Sequence, residues 1–128
     1  MLELLSPAGS PEAVVAAVQN GADAVYMGFG AFNARRSARN FSDEEFRAAV
    51  SYCHLRGVKV YLTLNTLVTD RELPLLAEEA RVASACGVDA ILVQDWGVLA
   101  TLQKIIPDVP LHASTQMSLH TLSGVQEA

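Results

Sequence analysis

Cysteine is scarce in this chain of 128 residues: only Cys53 and Cys86 occur. They lie far apart, each near the end of a predicted helix, which suits buried thiols better than a disulfide framework. Long apolar runs are absent, none approaching the roughly 20 residues of a membrane span. The opening MLELLSPAGS has no basic stretch followed by an apolar one, so no signal peptide is visible, and a cytoplasmic location is the expectation. Positive charge is also short. Nine Lys and Arg against 14 Asp and Glu leave a formal net charge of -5, with a pI near 5.0. This argues against a whole-surface basic footprint, so any contact with nucleic acid has to come from a local patch. Several catalytic signatures are missing as well. There is no HExxH zinc helix, no GxSxG elbow and no cysteine at a strand end beside a histidine, so a protease mechanism has no visible nucleophile or metal site. In place of a glycine-rich dinucleotide loop, the segment after the first strand offers only Ala8-Gly9-Ser10.

What is present is a repeated grammar. At 51% hydrophobic and 18% charged, the chain can bury one core and reads as one domain. Three stretches, NGADAVYM, RGVKVYL and CGVDAIL, each run from a helix end through a glycine into an apolar strand. Gly21, Gly57 and Gly87 can take the left-handed conformation that ends a helix. Ser10-Pro11-Glu12 reads as the start of a first helix, with a serine cap and a proline at the first position. Val14, Val15, Ala17 and Val18 form its apolar stripe. Ser42 to Glu45 has capping-box spacing, and Phe46, Ala49, Val50 and Cys53 follow on one face, opposite Glu44, Arg47 and Ser51. A third helix is expected to start between Asp70 and Pro74 and to reach Cys86. A fourth runs from about Trp96 to Ile106, with Asp95 as a candidate cap and Pro107 as its stop.

Strands are expected at Glu3 to Leu5, Ala24 to Met27, Lys59 to Leu64, Ala90 to Val93 and Leu111 to Ala113. Their continuous apolar runs indicate strands covered on both faces, as in parallel sheets. Five alternations of strand and helix select the α/β class. Without a phosphate loop to suggest an open sheet, a parallel (β/α) TIM-type barrel is the expected fold. Such a barrel takes roughly 250 residues. Residues 1–128 therefore read as its amino-terminal half, about five βα units, breaking off within the fifth helix. Half a barrel leaves two unpaired sheet edges, so self-association through them is expected.

In a parallel barrel, chemistry collects at the carboxyl ends of the strands. This sequence places there Ser6 to Gly9, then Gly28 and a long loop, then Asn65 and Thr66, then Gln94 and Asp95, then His112, Ser114, Thr115 and Gln116. Asn65, Gln94, Ser114 and Gln116 are candidate substrate-binding residues, because amides and hydroxyls orient ligands by hydrogen bonding. Asp95 and His112 are the ionisable candidates for proton transfer. Each has a plainer alternative, Asp95 as a helix cap and His112 as a structural histidine. Strand alternation puts His112 and Ser114 on one face, with Ala113 and Thr115 on the other. Trp96 is expected in the core or in a pocket wall.

The loop from Phe29 to Phe41 concentrates positive charge. Arg35, Arg36 and Arg39 lie within five residues of one another, flanked by Asn33, Asn40, Phe32 and Phe41. Guanidinium forks bind carboxylate or phosphate, so Asn33 and the three arginines are candidates for an anionic substrate or an RNA backbone. The alternative is a solvated loop paired with Asp43 and Glu44.

Taken in order, SPAGSPEA, NGADAVYMG, FNARRSARNF, LTLNT, GVDAILVQD and LHASTQMS resemble the amino-terminal part of the collagenase-like peptidases, peptidase family U32, over nearly the whole chain. The LTLNT and VQD-to-HASTQ segments are most similar to the ribosomal RNA cytidine hydroxylase branch. The resemblance implies an oxygen-independent hydroxylase of tRNA, rRNA or ubiquinone precursors, with prephenate as a donor for the RNA enzymes. It also implies an iron-sulfur cluster whose four cysteines lie outside this chain, so this stretch is expected to bind no cofactor and to be inactive alone. By the same analogy, Arg35, Arg36 and Arg39 would meet prephenate carboxylates or RNA phosphate. The family name keeps peptide cleavage open, and a non-catalytic binding module is a further alternative.

Overall fold

A computed structural model describes residues 2–30, 32 and 41–128. Five strands alternate with helices: β1 (Leu5–Pro7), α1 (Pro11–Gln19), β2 (Ala24–Gly28), α2 (Asp43–Leu55), β3 (Lys59–Leu64), α3 (Leu73–Cys86), β4 (Ala90–Val93), α4 (Trp96–Ile105), β5 (Leu111–Ala113) and α5 (Leu122–Glu127). A single 3-10 turn, Thr115–Met117, follows β5.

Local chemistry accounts for the helix starts. Ser10 caps α1, accepting from the Ala13 amide with Pro11 in the first turn. Ser42 and Glu45 form a reciprocal capping box on α2. The third helix begins at Leu73, with Pro74 inside its first turn where no amide donor is needed, and ends on Gly87 at φ 87°. A side chain at Gly87 would have space around it, so the requirement there is one of backbone conformation, not packing.

All four strand pairings are parallel, and the order across the sheet is β1-β2-β3-β4-β5. Spatial order that follows chain order, with no reversal, is the progression of a barrel arc; a doubly wound sheet would reverse at a switch point. The main core lies between the sheet and its helices. Val25, Met27, Val60, Leu62, Leu64, Ile91 and Val93 pack there against Val14, Phe46, Val50, Leu76, Ala80, Val98 and Leu102. The other face of the sheet holds a smaller cluster, Ala24, Tyr61 and Ala90 with Tyr26 and Leu92, to which no helix contributes. No helix among the described residues is long and apolar enough to cross a membrane.

Three expectations are corrected. The first strand lies two residues later than Glu3 to Leu5, because Leu4 is held outside the ladder: its carbonyl accepts from Asp23 and Ala24, and its amide donates to Asp23 Oδ2. Val15 is exposed (36%), so the stripe of α1 narrows to Val14, buried, with Ala17 and Val18 partly buried. Of the two places expected for Trp96, core or pocket wall, the core is excluded, since the residue is 49% exposed at the start of α4.

Candidate functional site

Residues paired in a parallel ladder share a face, and the register therefore assigns the helix-free face. Tyr26 pairs with Tyr61, and Tyr61 with Ala90. Thr63 pairs with Leu92, and Leu92 with His112. His112 thus stands on the helix-free face, its ring edge-on to Tyr61 with centroids 5.3 Å apart. Below it, the Tyr61 hydroxyl donates to Glu3 Oε1 at 2.7 Å. Burial, reinforced by the Glu3 carboxylate, pushes the phenol up to about 12, so Tyr61 stays neutral.

Above these rings, at the carboxyl ends of the strands, lies a cavity of about 470 Å³ bordered by Tyr26, Thr63, Asn65, Leu92, Ser114 and Gln116. The Asn65 amide reaches Ser114 Oγ at 3.5 Å, and that oxygen also accepts from the Gln116 backbone amide. Gln94 Nε2 donates to the Gln116 carbonyl at 3.3 Å. Side chains from β3, β4 and β5 therefore converge, and Ser114 is buried among them. Asn65, Gln94, Ser114 and Gln116 come together as the strand-end reasoning expects. Asp95 is used differently: Oδ1 accepts from the amides of Gly97 (2.7 Å) and Val98 (3.1 Å), and Oδ2 from Val68 (3.4 Å). It is the cap of α4, the plainer of its two readings.

Asn33, Arg35, Arg36 and Arg39 lie outside the described residues. The base of their loop is described: Phe29 and Phe41 form an isolated parallel bridge, so the chain leaves and returns at one point beyond β2. Sequence reasoning missed Tyr26, Tyr61 and Thr63 as cavity and wall residues. The available signal was their spacing of two along β2 and β3, hidden because both faces of those strands are apolar.

Neither cysteine fits an iron-sulfur cluster. Cys53 is fully buried in the main core, and burial raises its thiol to about 11, opposing the thiolate a cluster requires. Burial likewise raises Cys86, which also packs on the helix side. Among the described residues, no three His, Cys, Asp or Glu side chains come together in a metal-binding group.

The sequence is 41% identical over 121 residues to the 23S rRNA 5-hydroxycytidine synthase of Escherichia coli, covering 94% of this chain and 18% of that protein. It is 36% identical over 126 residues to a tRNA hydroxylation protein P of Helicobacter pylori (98% of this chain, 30% of that protein). It is also 36% identical over 125 residues to a collagenase of Porphyromonas gingivalis (97% and 30%). The chain thus spans less than a third of the length of these curated relatives. Among solved structures, a U32 peptidase superposes with a TM-score of 0.72 at 16% identity, over 97% of this chain and 53% of the other, a likeness of fold. The model of peptidase family U32 matches residues 9–128, and the chain belongs to that family.

Proposed function

We propose that this chain supplies part of the substrate site of an RNA hydroxylase acting on tRNA or rRNA. The observation that carries the reading is the convergence of Asn65, Ser114 and Gln116 around one cavity at the strand ends, with Gln94 bonded to the Gln116 carbonyl behind them. Amide and hydroxyl groups in such a ring match the hydrogen-bonding edge of a nucleobase, and the apolar floor of Tyr26 and Leu92 suits its planar face. Relatives named for rRNA and tRNA hydroxylation share 41% and 36% of residues over almost the whole chain, which favours RNA as the substrate. His112, open on the helix-free face, is the candidate for proton exchange at the bound base. An anionic hydroxyl donor such as prephenate would be met by Asn33 together with Arg35, Arg36 and Arg39, whose positive charge contrasts with the acidic remainder. A cytoplasmic setting suits these partners.

The test is mass spectrometry of tRNA and rRNA from a deletion strain. One missing hydroxyl, restored by the intact gene and not by Gln116→Ala, is the expected result. Unchanged RNA sinks the reading and returns weight to peptide cleavage, which the relative named collagenase keeps in view. Arg36→Ala should weaken donor binding with folding intact; unaltered affinity would remove the loop from the site.

A further inference from the structure

Trp96 is the only tryptophan of the chain, and it opens α4 at the rim with about half of its surface exposed. Its place is set by the cap beside it. Asp95 holds the amides of Gly97 and Val98 on one oxygen and that of Val68 on the other, so the turn carrying the indole is fastened on both sides. Gly97 keeps the turn tight, because a Cβ there would lie 3.1 Å from Asp95 Oδ1. The contact to Val68 brings the β3–α3 loop alongside, with Leu67 68% exposed. Two residues before Trp96, Gln94 donates to the carbonyl of Gln116, a residue that lines the cavity. Among the described residues no aromatic ring packs on the indole.

We propose that Trp96 is a stacking platform for a nucleobase neighbouring the one in the cavity. The inference rests on the RNA reading above and adds a second point of contact to it. A chain with a formal charge of -5 cannot hold a polyanion by charge over its whole surface, so base stacking has to supply more of the affinity. Stacking on an aromatic side chain tolerates any base, because every base has a π face. The rival occupant is a basic peptide held by cation-π contact. It is disfavoured because the adjacent carboxylate, Asp95, is committed to backbone amides, and the residue before it, Gln94, is a neutral amide.

Because Trp96 is the sole indole, its fluorescence reports the event directly. The 128-residue chain is titrated with a single-stranded hexaribonucleotide, with an abasic strand of equal charge and with a lysine-rich peptide. Saturable quenching by the base-containing strand alone is expected. Measured by the anisotropy of a dye-labelled strand, a readout that does not need the indole, Trp96→Ala should bind about tenfold more weakly, while Trp96→Phe keeps most of the affinity. Equal quenching by the abasic strand, quenching by the peptide alone, undiminished binding by Trp96→Ala or no RNA binding each overturns the platform. RNA binding that survives Trp96→Ala leaves the hydroxylase reading standing. A verified platform in a protein whose deletion leaves RNA unchanged removes hydroxylation and keeps an RNA-binding surface.

Discussion

Asp95 and Val68 are joined across two loops: Oδ2 of the aspartate accepts from the Val68 amide at 3.4 Å, while Oδ1 accepts from Gly97 and Val98 at the start of α4. One carboxylate therefore sets both the first turn of a helix and the path of the preceding strand-end loop. Asn65, Gln94 and Trp96 all flank these contacts, so the rim derives its shape from a residue whose oxygens face backbone.

Asp95→Ala should cost about 1–2 kcal/mol, the usual loss of a good helix cap, with the Val68 amide also left without its acceptor. Asp95→Asn keeps a carbonyl oxygen for one side and should lose less. Urea denaturation gives the size, and near-ultraviolet circular dichroism of the single tryptophan reports whether the rim moved. An Asp95→Ala protein with an unchanged urea midpoint and spectrum would show that the cap is not what fixes this loop.

The base of the arginine-bearing loop rests on an aromatic pair. Phe29 and Phe46 stack with centroids 4.9 Å apart and an interplanar angle of 22°, and both are buried. Removing a fully buried phenylalanine ring typically costs about 3–5 kcal/mol, transfer and cavity together. Phe46→Ala is therefore expected to fall near the upper end of single-site losses, with Phe46→Leu losing clearly less. Equal stability of the two variants in urea would mean that the neighbouring core collapses into the space.

Most of the scaffold was legible because its signals are local. Ser42 and Glu45 are three residues apart and bond as the capping box requires; Gly21, Gly57 and Gly87 all have positive φ. The strand β3 falls on Lys59–Leu64 as its apolar run indicates. Where the reading slipped, a nonlocal contact decided. Asp23 holds Leu4 out of β1, a bond between residues 19 apart. The sequence offers Trp96 a place in the core or in a pocket wall, yet it opens α4 half-exposed and does not line the cavity. The gathering of Asn65, Gln94 and Gln116 was foreseeable from parallel strands ending on one rim. The edge-on contact of His112 with Tyr61 was not, since that meeting depends on the register across β3, β4 and β5.

Burial raises the Cys53 and Cys86 thiols and the Tyr61 phenol, which makes stability fall at alkaline pH. Below about 9, Cys53 is protonated whether the chain is folded or unfolded, and its contribution is complete; between there and about 11 only the unfolded chain ionises, so stability declines as pH rises. Tyr61 adds the same effect from about 10 to about 12. Urea midpoints measured from pH 8 to 11 should drop, with a shallower slope in Cys53→Ala whatever its absolute stability. Iodoacetamide should label half-buried Cys86 before Cys53 in the native protein, and both only after unfolding makes Cys53 accessible. A flat profile, or early labelling of Cys53, would contradict the buried-thiol assignment.

Among the described residues the sheet has no strand beyond β1 on one side or beyond β5 on the other. Free edges present rows of backbone donors and acceptors that pair readily with another chain. At the β1 edge the neighbouring side chains add apolar surface, with Leu4 57% and Leu5 42% exposed. We therefore expect the 128-residue chain to self-associate, with a sedimentation coefficient that rises with concentration. Leu4→Lys should suppress the association, since a charge on an edge must be desolvated before another strand can pair there, while α1 and β2 keep their contacts. A monomer that persists at high concentration would show that these edges do not recruit a second copy, and an association unaffected by Leu4→Lys would move the contact away from β1.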